Sequence, residues 1–70
     1  SAKLRELILE YIKSSDFGRT RQEINSYIYP LINENLENKN SKVRTSLTYL
    51  RTRNLIKNIG SDTKPKWITK

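Results

Sequence analysis

The apolar residues of this chain recur at helical spacing as far as Leu50 and then change to two short extended runs. That switch of period is what limits its fold. Residues 2–14 place Leu4, Leu7, Ile8, Tyr11 and Ile12 at i, i+3, i+4, i+7 and i+8, one apolar face of a helix. Lys3, Glu6, Glu10 and Lys13 cover the other side, with Lys3/Glu6 and Glu10/Lys13 spaced as i,i+3 pairs. Ser1 stands where it would cap this helix. Leu9 points off the apolar face and is unexplained by the pattern.

Asp16-Phe17-Gly18-Arg19 is a short extended connector, with a turn expected at Gly18 and Phe17 expected to reach the core. Thr20-Arg21-Gln22-Glu23 is a capping box that opens a second helix with Ile24, Tyr27, Ile28, Leu31 and Ile32 inward. Pro30 ends or kinks that helix near Tyr29, and Leu36 continues its face beyond the kink. Asn38-Lys39-Asn40 is a polar loop, and Ser41 caps a third helix over about residues 42–53 with Val43, Leu47 and Leu50 inward. The extended runs Leu55–Ile59 and Lys66–Thr69 flank Gly60-Ser61-Asp62-Thr63-Lys64-Pro65, a set of turn formers, so they pair as a β-hairpin with a long loop. Trp67, Tyr11 and Tyr27 belong to the core by position, and Tyr49 is the aromatic expected outside.

The expected fold class is therefore α+β, mainly α: helix, short strand, helix, helix, then a two-stranded hairpin, in one domain over residues 1–70. At this length only about 60% of the unfolded surface can be buried, which leaves a small core and no room for an enclosed active site. The chain lacks both cysteine and histidine. Disulfides, thiolate–imidazole zinc sites and imidazole-driven nucleophiles are thereby excluded. Glu6/Glu10 lie on a solvated face and Glu34/Glu37 in a polar segment, so neither pair has a pocket for acid–base or metal chemistry. Gly18 and Gly60 are too far apart to build a phosphate-cradling loop. No catalytic residue, metal or cofactor is implied. Leu7-Ile8-Leu9 is the longest apolar run, far short of a membrane span, and the composition suits a cytoplasmic domain. Ser1 in place of an initiator Met points to a piece of a longer protein.

Charge is divided unevenly along this pattern. Residues 1–37 hold five Lys/Arg against six Asp/Glu, a net of −1, whereas residues 38–70 hold nine against Asp62 alone, a net of +8. The basic half coincides with the third helix and the hairpin. At about 100° per residue, the face of that helix opposite its apolar stripe carries Thr45, Thr48, Tyr49 and Thr52. Arg44 and Arg51 border this face on one side, Lys42 and Arg53 on the other. A helix that enters the DNA major groove needs this arrangement, with uncharged donors and acceptors for base edges between cations for phosphates. Threonine is a poor helix former, so a purely solvating face would more naturally carry Glu, Lys or Gln. With the helix starting at residue 42, Lys42 and Arg44 fall in its first turn, where the helix dipole disfavours cations and a partner anion would offset it. Thr20 with Arg19 and Arg21 opens the second helix, whose free backbone N–H groups can hold a phosphate. The hairpin carries Lys57, Ser61, Lys64 and Lys66, and as a wing its Thr63-Lys64 tip would lie along a phosphate strand or enter a minor groove, with Ser61, Lys64 and Lys66 as the expected contacts.

The order of elements is that of a winged helix-turn-helix. The segments Thr20-Arg-Gln-Glu-Ile24, Leu47-Thr-Tyr-Leu-Arg51, Leu55-Ile-Lys-Asn-Ile-Gly-Ser61 and Lys64-Pro-Lys-Trp67 resemble the winged helix near the C-terminus of some bacterial RecG-like or divergent-AAA ATP-binding proteins and candidate transcriptional regulators. The resemblance covers roughly residues 19–69. It implies a non-catalytic double-stranded DNA-binding module, with the third helix in the major groove and the wing and second-helix N-terminus on phosphates. Two alternatives stand beside it. One is a winged helix used as a protein-interaction or tethering module, with Leu9 in the contact. The other is single-stranded or structured nucleic-acid binding within a helicase-like parent. A module of this size gains tight binding from a homodimer or from other domains of its parent.

Overall fold

Three helix ends in this chain are set by short-range side-chain and backbone substitutes for missing helical hydrogen bonds. At the first, the Thr20 hydroxyl accepts from the Glu23 backbone N–H at 3.2 Å while the Glu23 carboxylate accepts from the Thr20 N–H at 3.0 Å. This capping box is the one expected from the sequence. At the second, the Asn35 side chain accepts from the Asn38 N–H at 2.8 Å. At the third, Asn54 takes the left-handed conformation (φ 61°), its N–H bonds to the Arg51 carbonyl, and the Leu55 N–H bonds to the Leu50 carbonyl. That is a Schellman closure with asparagine in the place glycine often occupies.

The computed structural model describes residues 2–69, and the expected Ser1 cap lies outside them. Between these boundaries run α1 (Ala2–Lys13), β1 (Arg19–Thr20), α2 (Arg21–Ile28), a 3-10 turn (Tyr29–Leu31), α3 (Leu36–Thr52), β2 (Ile56–Asn58) and β3 (Lys66–Thr69). The result is a mainly helical α+β fold with a small antiparallel sheet in the order β1-β3-β2. Arg19 pairs with Trp67 and Thr20 with Lys66 on one edge, and Ile56, Lys57 and Asn58 pair with Thr69, Ile68 and Trp67 on the other. Gly18 makes the first pairing possible. It is buried with φ +92°, and a Cβ there would lie 2.8 Å from Ile68 Cγ2 and 3.0 Å from the Trp67 carbonyl.

All three helices and the hairpin contribute to one core. Leu4, Ile8 and Ile12 come from α1, Ile24 and Ile28 from α2, Val43, Leu47 and Leu50 from α3, Ile56 from β2 and Trp67 from β3. Burying each such side chain contributes about 1.5–3 kcal/mol, and half of the core residues are isoleucines: Ile8, Ile12, Ile24, Ile28 and Ile56. Trp67 is core, as its position on the last strand implied.

Several expectations are corrected. The largest concerns α3, which starts at Leu36 rather than Lys42, so that Asn38-Lys39-Asn40 is helical and Ser41 is not its cap. The Asn35 cap starts the helix earlier, and the Arg21 guanidinium bonds Asn40 Oδ1 at 2.7 Å across from α2. Lys42 and Arg44 are consequently about two turns into the helix, beyond the reach of the N-terminal dipole. Leu31 and Leu36 are exposed, because the 3-10 turn at Pro30 rotates the chain off the α2 face. Phe17 is 82% exposed at the tip of the connector, where Gly18 rather than Phe17 meets the sheet. Tyr27 is exposed as well and stacks on half-buried Tyr11 at 4.2 Å between centroids. Leu9 and Tyr49 are half-buried against the core instead of lying free at the surface. Neither Lys3/Glu6 nor Glu10/Lys13 closes an ion pair. Among the described residues the ion pairs are Arg19–Glu23 and Lys42–Glu34.

Candidate nucleic-acid interface

The outward ridge of α3 follows from its buried stripe. With Val43, Ser46, Leu47 and Leu50 turned inward, helical spacing puts Ser41, Thr45, Thr48 and Thr52 on the far side, and all four are exposed. A groove runs along each flank of this ridge.

The first groove lies between α3 and the hairpin. Arg44, Thr48 and Arg51 form one wall, Asn58, Asp62 and Pro65 the other, and Arg21 closes one end over the Trp67 floor. The long β2–β3 loop is held in this position by its own polar groups. Asn58 Oδ1 accepts from the N–H groups of Gly60 and Lys66 at 2.8 and 2.9 Å, and the Ser61 hydroxyl accepts from the Lys64 N–H at 3.0 Å. The indole N–H of Trp67 is shut off from solvent and has no acceptor among the described residues. A hollow adjoins this groove through Arg21 and Pro65, formed by Thr20, Gln22 and Asn25 of the α2 end together with Thr63 and Lys64 of the loop. The two together bring Thr20, Arg21, Arg44, Thr48 and Lys64 onto one continuous surface.

The second groove lies on the α1 side of α3, lined by Lys42, Thr45 and Tyr49 with Arg5, Ser41 and Ser46. Lys42 is ion-paired with Glu34. Thr52, Ser61 and Lys66 line neither groove nor the hollow. Thr52 is exposed at the end of α3, Ser61 braces the loop, and Lys66 lies in the sheet opposite Thr20.

The arginines that open α2 are less free than their sequence position implies. Arg19 stacks over Tyr11 at 4.2 Å, donates to the Tyr11 carbonyl at 3.2 Å and to the Ser14 hydroxyl at 2.9 Å, and stands 3.7 Å from the Glu23 carboxylate. It pins β1 to the end of α1. Arg21 donates to Asn25 and Asn40, and so ties α2 to α3. The Glu23 carboxyl is held below its ordinary value, first by the Thr20 backbone N–H, then by the Thr20 hydroxyl and by the nearby Arg19 and Lys66 charges.

Arg51 lines the groove with Arg44, on the side of the helix that the spacing assigned to both, and the structure adds residues that lie outside the expected set. Asn58 and Asp62 join only because the hairpin folds back beside α3. Arg5 belongs to the half of the chain with a net charge of −1, where nothing in the pattern distinguishes it. Among the described residues no acidic cluster is placed to hold a metal, and no helix is long and apolar enough to cross a membrane. Comparison with protein-family profiles, curated proteins and solved structures gave no significant match.

Proposed function

We propose that this chain is a non-catalytic double-stranded DNA-binding module of the winged helix-turn-helix kind. In this reading α3 enters the major groove, and the β2–β3 wing and the α2 N-terminus rest on phosphates. The observation that carries it is the first groove with its adjoining hollow. Arg21, Arg44, Arg51 and Lys64, drawn from three separate elements, converge beside the hydroxyl ridge of α3, with Asp62 as the one carboxylate among them. The charge partition adds to this support, because seven of the nine cations of the basic half fall in α3 and the hairpin, and Arg53 caps the end of α3. Phosphates supply the counter-charge that such a surface lacks, and threonine hydroxyls are suited to base edges. Leu9, the residue that suggested the tethering alternative, is half-buried against the core.

A duplex titration followed by fluorescence anisotropy at several salt concentrations tests the reading. With about five phosphate contacts, log K against log salt concentration should fall with a slope of about −4 to −5. A slope near zero sinks it. Single-stranded competitors that displace the duplex at equal concentration would shift the reading to single-stranded or structured nucleic acid.

A further inference from the structure

The second groove contains an arrangement that the proposed contacts leave unused. The Arg5 guanidinium from α1 lies 4.0 Å from the centroid of the Tyr49 ring, and that of Arg53 lies 4.8 Å from the same centroid. Among the described residues neither guanidinium has an ion pair or a hydrogen bond. Stacking on an aromatic face fixes the plane of an arginine while leaving its N–H edge free to donate. Two like charges are thus gathered on one ring with no counter-ion among the described residues, and Arg5 lines the groove beside the exposed hydroxyls of Ser41 and Thr45. An anion in the groove would relieve their mutual repulsion and accept from their free edges.

The position of the groove identifies the anion. It runs along the flank of the α3 ridge opposite the wing-side groove, and the ridge between them is one helix wide. A helix is about 10–12 Å across with its side chains. The major groove it would fill is about 12 Å wide, with a phosphate strand on each side. We infer that the groove lined by Arg5, Thr45 and Tyr49, with Arg53 stacked on the Tyr49 ring beside it, is a second phosphodiester-binding site. It takes the backbone of one DNA strand while the wing-side groove takes the other. Arg5 is its principal donor, held in place by Tyr49, and α1 is then part of the binding surface as well as of the scaffold.

This inference rests on the proposed duplex-binding reading, and the experiment separates the two. Salt-dependent duplex titrations are run on the wild-type chain and on Arg5→Gln, Arg5→Lys and Tyr49→Leu, with thermal melts to confirm that each is folded. Arg5→Gln is expected to weaken binding to all sequences alike and to make the log–log slope less negative by about 0.9. Arg5→Lys should keep the wild-type slope, and Tyr49→Leu should lower affinity while retaining most of the slope, since the charge remains but its platform is gone. If the wild type shows no salt-dependent binding, the duplex-binding reading fails and takes this inference with it. If the wild type binds but Arg5→Gln leaves affinity and slope unchanged, only the second site is overturned. NMR of the arginine side-chain N–H groups supplies the last arm. Arg5 should respond to duplex and not to the same concentration of inorganic phosphate, and an equal response to both would overturn the backbone assignment in favour of a small-anion site.

Discussion

Gly18 and Glu23 show how much of this fold rests on single side chains, or on the lack of one. Gly18 occupies a conformation that L-residues avoid, and the atoms around its missing Cβ include the Trp67 carbonyl of the neighbouring strand. That strand cannot retreat without breaking the pairing of Arg19 with Trp67. Gly18→Ala is therefore expected to cost more than about 1 kcal/mol in urea denaturation, and an unchanged midpoint would refute the account. Glu23 gives a pH signature. Its folded-state pKa is depressed below the ordinary 4.5, so its contribution to stability is fully present above that value and is lost as pH falls through the lowered one. Wild type should thus melt above Glu23→Gln at neutral pH, with the gap closing below pH 4.5 as the carboxyl protonates. The capping box was legible in the sequence because both partners lie within four residues of each other. The exposure of Phe17 was not, because apolar character alone does not reveal which residue of a four-residue connector meets the sheet.

At the scale of elements, the start of α3 separates what short-range rules can decide from what they cannot. Both Asn35 and Ser41 are acceptable caps, and two poor helix formers, Asn38 and Asn40, lie between them. Local preference therefore favours the shorter helix. The longer one prevails through the Asn35 cap and through the bonds of Arg21 to Asn40, a contact spanning 19 residues that no window of sequence displays. If Asn35 is the cap, Asn35→Ala should cost about 1 kcal/mol and reduce the helical signal in far-ultraviolet circular dichroism. Ser41→Ala, on the exposed ridge, should change stability by less than about 0.5 kcal/mol. The reverse order of effects would return the helix start to Ser41. The periodic parts of α1 and α2, the stop at Pro30 and the hairpin were all readable, since each depends on neighbours in sequence. The Asn54 closure of α3 was not, although an asparagine followed by leucine at a helix end is a signal that can be sought.

At the scale of the whole molecule, the sequence displays the imbalance of charge and, by helical spacing, the two flanks of α3 that carry it, with Arg44 and Arg51 on one and Lys42 and Arg53 on the other. It does not display what each flank faces. That depends on the hairpin folding back to one flank of the helix and α1 packing on the other, which also brings in Arg5 from the half without excess charge. The same arrangement leaves an uncharged ridge between cationic walls, and under the proposed reading the two kinds of side chain perform separable tasks. Arg51 is exposed on the wing-side wall and makes no ion pair among the described residues, so it can serve a phosphate without first losing a partner. Thr48 is exposed on the ridge and carries no charge, so it can distinguish base edges but releases no counter-ions. Arg51→Gln should accordingly weaken binding by a similar factor on every duplex and make the salt slope less negative by about 0.9. Thr48→Val preserves shape while removing the hydroxyl. It should leave the slope unchanged and alter only the ranking of duplexes in a competition series. A Thr48→Val chain that loses affinity equally for every sequence would show that the ridge acts as a wet spacer, and that whatever selectivity the module has comes from the shape of the DNA its two charged walls can grip.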